Sequence, residues 1–327
     1  MATGGTGQVM EEAFVSLTTN DAYSSGAYVL AKSLRANNTS RKLVLMVTEG
    51  VSAGVRDKLS SVWDDLIDVT ILDSMDTETL ALMKRPELGV TFSKLRAWTL
   101  VQFKKCVFLD ADTLVMQNID DLFDREELSA APDIGWPDNF NSGVFVFKPS
   151  LETYSALLNH AKTHGSYDGG DQGLLNQYFN GWATEDISRH LPFTYNMVSN
   201  ICYSYAPAYR RYGSDVKIIH FLGSIKPWHH SYDRETGCVK FISSARYTGA
   251  DEKFIQMWWD CYVAGNGDGG PFGHYSGDSA HAQSGFSPAP VSRGSWEKGL
   301  MDYTGKDNFD AIMDYMNKLM SQNGKSS

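Results

Sequence analysis

The stretch Phe108-Leu109-Asp110-Ala111-Asp112-Thr113-Leu114 decides the fold. The apolar approach from Cys106 to Leu109 reads as a buried strand, and the chain then runs straight into two carboxylates separated by one residue. A turn at Asp110 lets both carboxylates face one ion at the carboxyl edge of a sheet, where ligands of open α/β sheets bind. Hard oxygen donors suit Mg²⁺ or Mn²⁺, which grip phosphate oxygens. Carboxylates are also common in ordinary strand-end turns, so this pair draws its weight from its place after an apolar strand.

Around this stretch, Ala13 to Leu17, Leu43 to Val47, Val69 to Leu72 and Gly143 to Phe147 are further short apolar runs that predict strands. Tyr23, Ala27, Leu30 and Leu34 recur at helical spacing between the first two and predict a crossover helix. Leu151, Tyr154, Leu158 and Ala161 predict another, with Ser150 as N-cap and Gly165 as its stop. The alternation places the chain in the α/β class, with an open, mainly parallel sheet flanked by helices.

Composition excludes several classes. The 327 residues are 42% hydrophobic and 21% charged, which suits a globular chain. With 29 basic and 39 acidic residues the net charge is -10, so a nucleic-acid partner is not expected. No run approaches the roughly 20 apolar residues that a membrane-spanning helix needs, so no membrane association is expected. The first residues lack the basic and apolar regions of a secretory signal. Cys106, Cys202, Cys238 and Cys261 are isolated and read as reduced thiols. A cytoplasmic chain is expected.

Two more constellations carry chemistry. Asp168-Gly169-Gly170-Asp171-Gln172 stands at the start of a predicted helix, where Asp171 is either an N-cap or a carboxylate beside an anomeric carbon. His220-Phe221-Leu222-Gly223-Ser224-Ile225-Lys226 follows the apolar run Val216 to Ile219. Its imidazole is either a hydrogen-bonded structural group or a nitrogen ligand completing the Asp-Xaa-Asp site, and Lys226 could neutralise a departing phosphate. Thr18, Thr19 and Asn20 follow the first strand and could hold a base or ribose, while Arg85 and Lys94 could contact phosphates.

The chain changes character near Val263. From there to Ser295 it is rich in Gly, Ser, Pro and Ala and reads as a flexible linker, 33 residues long, spanning roughly 30 Å. Periodicity returns after Trp296, with Phe309, Ile312, Met316 and Leu319 on one helical stripe and Asp307 as N-cap. The expected organisation is a flexible extension over 1–12, the main domain over 13–262, a linker over 263–295, an amphipathic segment over 296–320 and a tail over 321–327.

Seven ordered segments together carry a resemblance: LTTNDAY from Leu17, LMKRPELGVT from Leu82, FLDADTLV from Phe108, NIDDLFDREELSAAPD from Asn118, GWPDNFNSGVFVF from Gly135, DGGDQGLLN from Asp168 and HFLGSIKPW from His220. The chain resembles the glycogenins, self-glucosylating primers of glycogen synthesis among the family-eight retaining glycosyltransferases. The likeness covers Ala13 to about Tyr262 and resumes at Trp296-Glu297-Lys298-Gly299, which is similar to the segment that anchors glycogen synthase.

The resemblance implies a GT-A fold, UDP-glucose as donor and Mn²⁺, or Mg²⁺ in its place, as metal. It implies Asp110, Asp112 and His220 as metal ligands. It sets Leu17, Thr18, Asn20, Tyr23 and Arg85 around the nucleotide, with Ala111 lining the donor site. It puts Lys94, Asn141, Ser142, Asp168, Asp171 and Gln172 around the glucose, with Asp171, Asp168 and Lys94 in catalysis, and Gly223 and Lys226 at the diphosphate. The acceptor it implies is Tyr203, within Cys202-Tyr203-Ser204-Tyr205; nothing else in the sequence selects it among 16 tyrosines. Glycogen synthase, through Trp296 to Met320, and a second copy of the chain, forming a homodimer, are the partners implied. Two other readings keep parts of this pattern: transfer to a free small molecule such as inositol, and a non-catalytic scaffold. Tyr203 and the Trp296 segment oppose the first, and the intact acidic and histidine motifs oppose the second.

Overall fold

The computed structural model describes residues 11–76, 78–79, 86–199, 206–223, 225–242, 252–264 and 272. Strands β1 (Glu11–Thr18), β2 (Lys42–Val47), β3 (Asp65–Asp68), β4 (Phe103–Leu109), β6 (Ser129–Pro132) and β7 (Phe140–Phe147) form one sheet in the order β3-β2-β1-β4-β7-β6. The first four run parallel, while β7 runs antiparallel to β4 and β6 antiparallel to β7. The α/β class and the mainly parallel sheet expected from the sequence are both present.

The apolar runs are continuous because both sheet faces are buried. Alternate residues divide between two cores. Phe14, Leu43, Leu45, Val107, Leu109 and Val144 face one core; Ala13, Val15, Val44, Cys106, Phe108 and Phe145 face the other. Helix α1 (Ser24–Ala36) and helix α6 (Glu252–Val263) pack on the first side. The second is covered by the 3₁₀-helical segment Pro86–Thr99 and by α3 (Leu151–His164) and α4 (Asp171–Tyr178). There Trp98 stacks on Phe145 with ring centroids 5.5 Å apart, and its indole N–H donates to Glu127 Oε1 at 2.8 Å. The short α2 (Ala53–Leu59) and α5 (Ala206–Tyr212) complete the described helices.

Two local expectations hold at α3. Ser150 Oγ accepts from Thr153 N at 3.2 Å, and Gly165 ends the helix with φ 67, a conformation that favours glycine. The strand expected over Val69 to Leu72 is displaced. Strand β3 is Asp65–Asp68, and its ladder to β2 ends where Val69 N donates to Val47 O at 2.8 Å. This is the sheet edge, where polar Asp65 and Asp68 face solvent, so apolar content did not mark the paired residues.

A second sheet decides the geometry of the site. Strands β5 (Thr113–Val115), β8 (Met197–Val198) and β9 (Ile218–His220) pair in the order β5-β9-β8, with Thr113 opposite His220. A hairpin of β10 (Ser231–Asp233) and β11 (Cys238–Lys240) lies beyond it. Phe272, inside the stretch read as linker, packs its ring on Tyr28 at 5.7 Å. The expected amphipathic segment from Trp296 to Met320 lies outside the described residues. Cys106, Cys238 and Cys261 are free thiols.

Helix α1 lies so close to the Asp110–Asp112 turn that its Gly26 has no room for a side chain. A Cβ there would meet Ala111 O at 2.4 Å and Trp228 Cζ3 at 2.7 Å. We expect Gly26→Ala to destabilise the fold by about 2 kcal/mol, because a backbone carbonyl and a buried indole must both yield. Chemical denaturation measures this, and a variant as stable as the parent would show that helix and turn have slack.

Candidate active site

The site starts where β4 stops. Ser16 Oγ donates to the Leu109 carbonyl at 2.6 Å, and Asp110 N donates to Gly143 O at 2.8 Å. The chain then turns, with Thr113 giving both its N–H (3.1 Å) and its hydroxyl (2.7 Å) to the Asp110 carbonyl. Thr113 opens β5 opposite His220, so the turn is clamped between the two sheets and both carboxylates meet the imidazole. One ligand atom from each of Asp110, Asp112 and His220 lies within 4.8 Å of the others.

Charge is arranged around this trio. Lys226 Nζ sits 2.5 Å from Asp112 Oδ2 and donates to Phe221 O at 2.8 Å. Burial alone would raise the Asp112 pKa, but Lys226 and His220 outweigh it and hold the carboxyl well below the usual carboxylate range. Lys94 Nζ lies 2.6 Å from Asp171 Oδ2 and 3.0 Å from Asp110 Oδ1, and donates to Ser142 O at 3.1 Å. Burial opposes its charge, and Asp110 and Asp171 together reverse that, so the ammonium is held above its ordinary range. Burial pushes Asp110 up, against Lys94, while Asp112 and Asp171 add to the rise.

His220 is oriented from behind. Its Nδ1 lies 2.9 Å from Asn196 Oδ1, while Asn196 Nδ2 donates to Asn141 Oδ1 at 2.8 Å. Asn141 Oδ1 also accepts from Gly143 N at 2.9 Å, which fixes the direction of the chain of amides. The Nδ1 proton is therefore committed to Asn196, and a neutral His220 presents a bare Nε2 to Asp112 Oδ1 at 3.2 Å. Two lone-pair bearers facing each other need a proton or a metal cation between them. Two carboxylates and one imidazole nitrogen fit a divalent cation such as Mn²⁺. Gly143 makes the arrangement possible, since a Cβ there would lie 2.2 Å from His220 Cε1.

The trio lies in a cleft of about 330 Å³. Of the residues singled out from the sequence, Leu17, Asn20, Tyr23, Lys94, Asp110, Ala111, Asp112, Asn141, Ser142, Asp168, Asp171, Gln172, His220, Gly223 and Lys226 line it. Thr18 does not: it is 1% exposed and its hydroxyl donates to Asn20 O at 3.1 Å, so it shapes the loop that carries Asn20. Arg85 and Tyr203 lie outside the described residues. Asp171 is not the N-cap of α4. That place is taken by Gly170, and the capping acceptor is Asp168, whose Oδ2 takes Gly173 N at 3.0 Å and whose Oδ1 takes Gly170 N at 2.9 Å and Ser166 Oγ at 2.7 Å. Burial raises the Asp168 pKa against those hydrogen bonds.

Thr19, read from the sequence as a nucleotide contact, also lines the cleft; sequence reasoning missed Val90, Thr91, Asp133, Gly143, Gly170 and Leu222 in the lining, and Asn196 behind it. Asp133 Oδ2 accepts from both Asn141 Nδ2 (2.8 Å) and Gln172 Nε2 (3.0 Å), and Gln172 Oε1 accepts from Ser142 N at 3.1 Å. Asn141 is eight residues from Asp133, across the loop between β6 and β7, and Gln172 is 39 residues away, so no local spacing announces the group. Asn196, a polar residue immediately before β8, was the one with a readable position.

The profile of the family "Glycosyl transferase family 8" matches residues 14–231. Glycogenin-1 of Mus musculus is 49% identical over 323 residues, covering 92% of this chain and 97% of the mouse protein. Glycogenin-1 of Oryctolagus cuniculus is 50% identical with the same coverage. Among solved structures, the apo-form glycosyltransferase GlyE of Streptococcus pneumoniae is similar with a TM-score of 0.51 at 21% identity, covering 77% of this chain and 60% of its own; at that identity it speaks for the fold alone. The fold is the GT-A-like α/β arrangement, as expected. A family match spanning both sheets and near-complete alignment with two mammalian glycogenins lead to one conclusion: the chain belongs to glycosyl transferase family 8 and, within it, to the glycogenins, self-glucosylating glucosyltransferases that prime glycogen synthesis.

Proposed function

We propose that the cleft takes UDP-glucose together with Mn²⁺, or Mg²⁺ in its place, and transfers glucose with retention of configuration, first to Tyr203 and then to the glucose hydroxyls of a growing α-1,4-glucan. The observation that carries this reading is the convergence of Asp110, Asp112 and His220 within 4.8 Å, flanked by two buried lysines. Asp110, Asp112 and His220 would hold the metal, which when bound supplies charge stabilisation for a diphosphate leaving group.

The remaining chemistry belongs to the chain. Asp110, Asp112 and Asp171 face Lys94 and Lys226 across the centre of the cleft. With a divalent cation held by the trio, these lysines would add to the positive charge that a diphosphate requires. Lys226 and the loop at Gly223, whose φ of 99 favours glycine, meet the diphosphate and hold its departing charge. Leu17, Asn20 and Tyr23, with Arg85, receive the nucleotide, and Ala111 lines its path. Asn141, Ser142, Gln172 and Asp168 surround the glucose, whose anomeric carbon faces Asp171.

The acceptor phenol, with a pKa of about 10, is a weak nucleophile at neutral pH. It depends on oxocarbenium character in the donor, or on a leaving phosphate oxygen as base. Retention follows from front-face attack within an ion pair or from double displacement through Asp171. Lys94 grips one Asp171 oxygen at 2.6 Å and weakens that carboxylate as a nucleophile, which favours the front-face route. The catalytic domain would span 13–262, followed by the linker and by the segment 296–320 that binds glycogen synthase. Self-association as a homodimer and a cytoplasmic location complete the reading. No described helix is long and apolar enough to cross a membrane.

Asp112→Asn should lower metal-dependent UDP release by about 100-fold or more, since even groups behind a ligand are worth 10- to 100-fold. A Mn²⁺ titration of turnover checks it, and unchanged Mn²⁺ dependence would remove Asp112 from the site.

Tyr203→Phe should still hydrolyse UDP-glucose slowly and gain no hexose. Intact mass of the wild type after incubation with UDP-glucose and Mn²⁺ should show hexose increments, placed by peptide mapping on Cys202-Tyr203-Ser204-Tyr205. Sugar only on Tyr205 or on a distant tyrosine would overturn the acceptor.

A chain ending at Ser295 should keep self-glucosylation and lose capture of purified glycogen synthase. Equal capture by both forms would give the terminal segment another role.

A further inference from the structure

The loop between β6 and β7 joins the cleft to an exposed aromatic surface. Its base is fixed: Asp133 N donates to Asn139 O at 2.8 Å, and Asp133 Oδ2 is held inside the cleft by Asn141 and Gln172. Its tip is bare. Trp136 is 94% exposed and Ile134 is 51% exposed. Tyr167, 50% exposed, is tied to the same loop by a hydrogen bond between its hydroxyl and Asn139 Nδ2, and it immediately precedes Asp168 of the cleft. Ile134 and Trp136 on the loop, and Tyr167 tied to it, are therefore exposed next to Asp133 and Asp168, which line the cleft.

A fully exposed indole gains nothing from the fold, and an apolar patch beside a cleft marks an interaction surface. The patch offers on the order of a few hundred Å², whereas a stable protein interface takes about 800 Å² from each partner. A ligand one sugar ring wide matches it better. The C–H groups on the apolar face of a glucopyranose are slightly positive and suit the negative face of an aromatic ring. Asp138, exposed two residues after Trp136 in the chain, offers acceptors to the hydroxyls at the sugar edge.

We propose that Trp136, flanked by Ile134 and Tyr167, is a stacking platform for the growing glucan, holding it at the lip of the cleft away from its reacting end. The inference rests on the glucosyl-transfer reading above. A platform outside the cleft acts only once the chain is long enough to reach it. The first glucose should not depend on Trp136, and later additions should.

The test compares the full chain with Trp136→Ala and Trp136→Phe. Calorimetric titration with maltoheptaose should show about tenfold weaker binding for Trp136→Ala and near-parental binding for Trp136→Phe. In a mass-resolved time course with UDP-glucose and Mn²⁺, Trp136→Ala should add its first hexose at the parental rate and then stall at shorter chains. Parental maltoheptaose affinity in Trp136→Ala, or an equal slowing of first and later additions, would overturn the platform. A shift in oligomeric state by light scattering would overturn it too, assigning Trp136 to self-association. A parent that binds maltoheptaose through Trp136 yet transfers no glucose would support the platform and overturn the transfer reading instead.

Discussion

Lys94 and Lys226 stand almost fully buried among Asp110, Asp112 and Asp171, and the cleft depends on that balance. A buried carboxylate without a partner is costly enough to protonate or unfold its surroundings, and removing one member of a buried pair typically costs about 3–5 kcal/mol. Each lysine serves two ends. Lys94 ties Asp110 on the main sheet to Asp171 at the start of α4, and its carbonyl partner is Ser142 of β7. Lys226 ties Asp112 to the segment after β9 through Phe221 O. The same ion pairs that neutralise the acids fix the walls of the cleft relative to each other.

This arrangement needs two sheets. The main sheet delivers β4 to the cleft floor, and the antiparallel pair β5–β9 brings His220 back against the acidic turn. Two glycines permit the closeness: Gly26 lets α1 lie on the turn, and Gly143 makes room for the His220 ring. At either position a single methyl group would push on an atom that has nowhere to go.

Behind the lysines runs a hydrogen-bonded network from His220 through Asn196 and Asn141 to Asp133 and Gln172. It sets the imidazole tautomer, and it links the metal-ligand side of the cleft to the side that faces α4. Asp133 also anchors the loop that displays Trp136, so cleft and lip share one fixed point. Asp168 shows the opposite allocation. Its oxygens accept three hydrogen bonds from Ser166, Gly170 and Gly173, and its first duty is to hold the turn that presents Asp171.

The sequence by itself determined the parallel strands β1, β2 and β4, α1, α3 with its Ser150 cap, and the acidic turn after Leu109. In each of these, burial on both faces, helical periodicity or capping writes itself into adjacent residues. It also supplied the candidate ligand trio, because Asp110 and Asp112 follow one apolar run, His220 ends another, and ordered motifs pointed to the same three residues. Only the tertiary structure decided that β7 runs antiparallel, that β3 begins at Asp65 and ends at Asp68, and that Thr113 and His220 face each other across a second sheet. Pairing direction and register are settled between strands, so no single strand records them. The same reason hid Asp133 and the role of Asn196, whose position before β8 was readable but whose partners were not, and it moved Thr18 off the cleft wall. A hydrogen bond between side chains dozens of residues apart leaves no local pattern, and which face of a loop is open depends on what the rest of the fold packs against it.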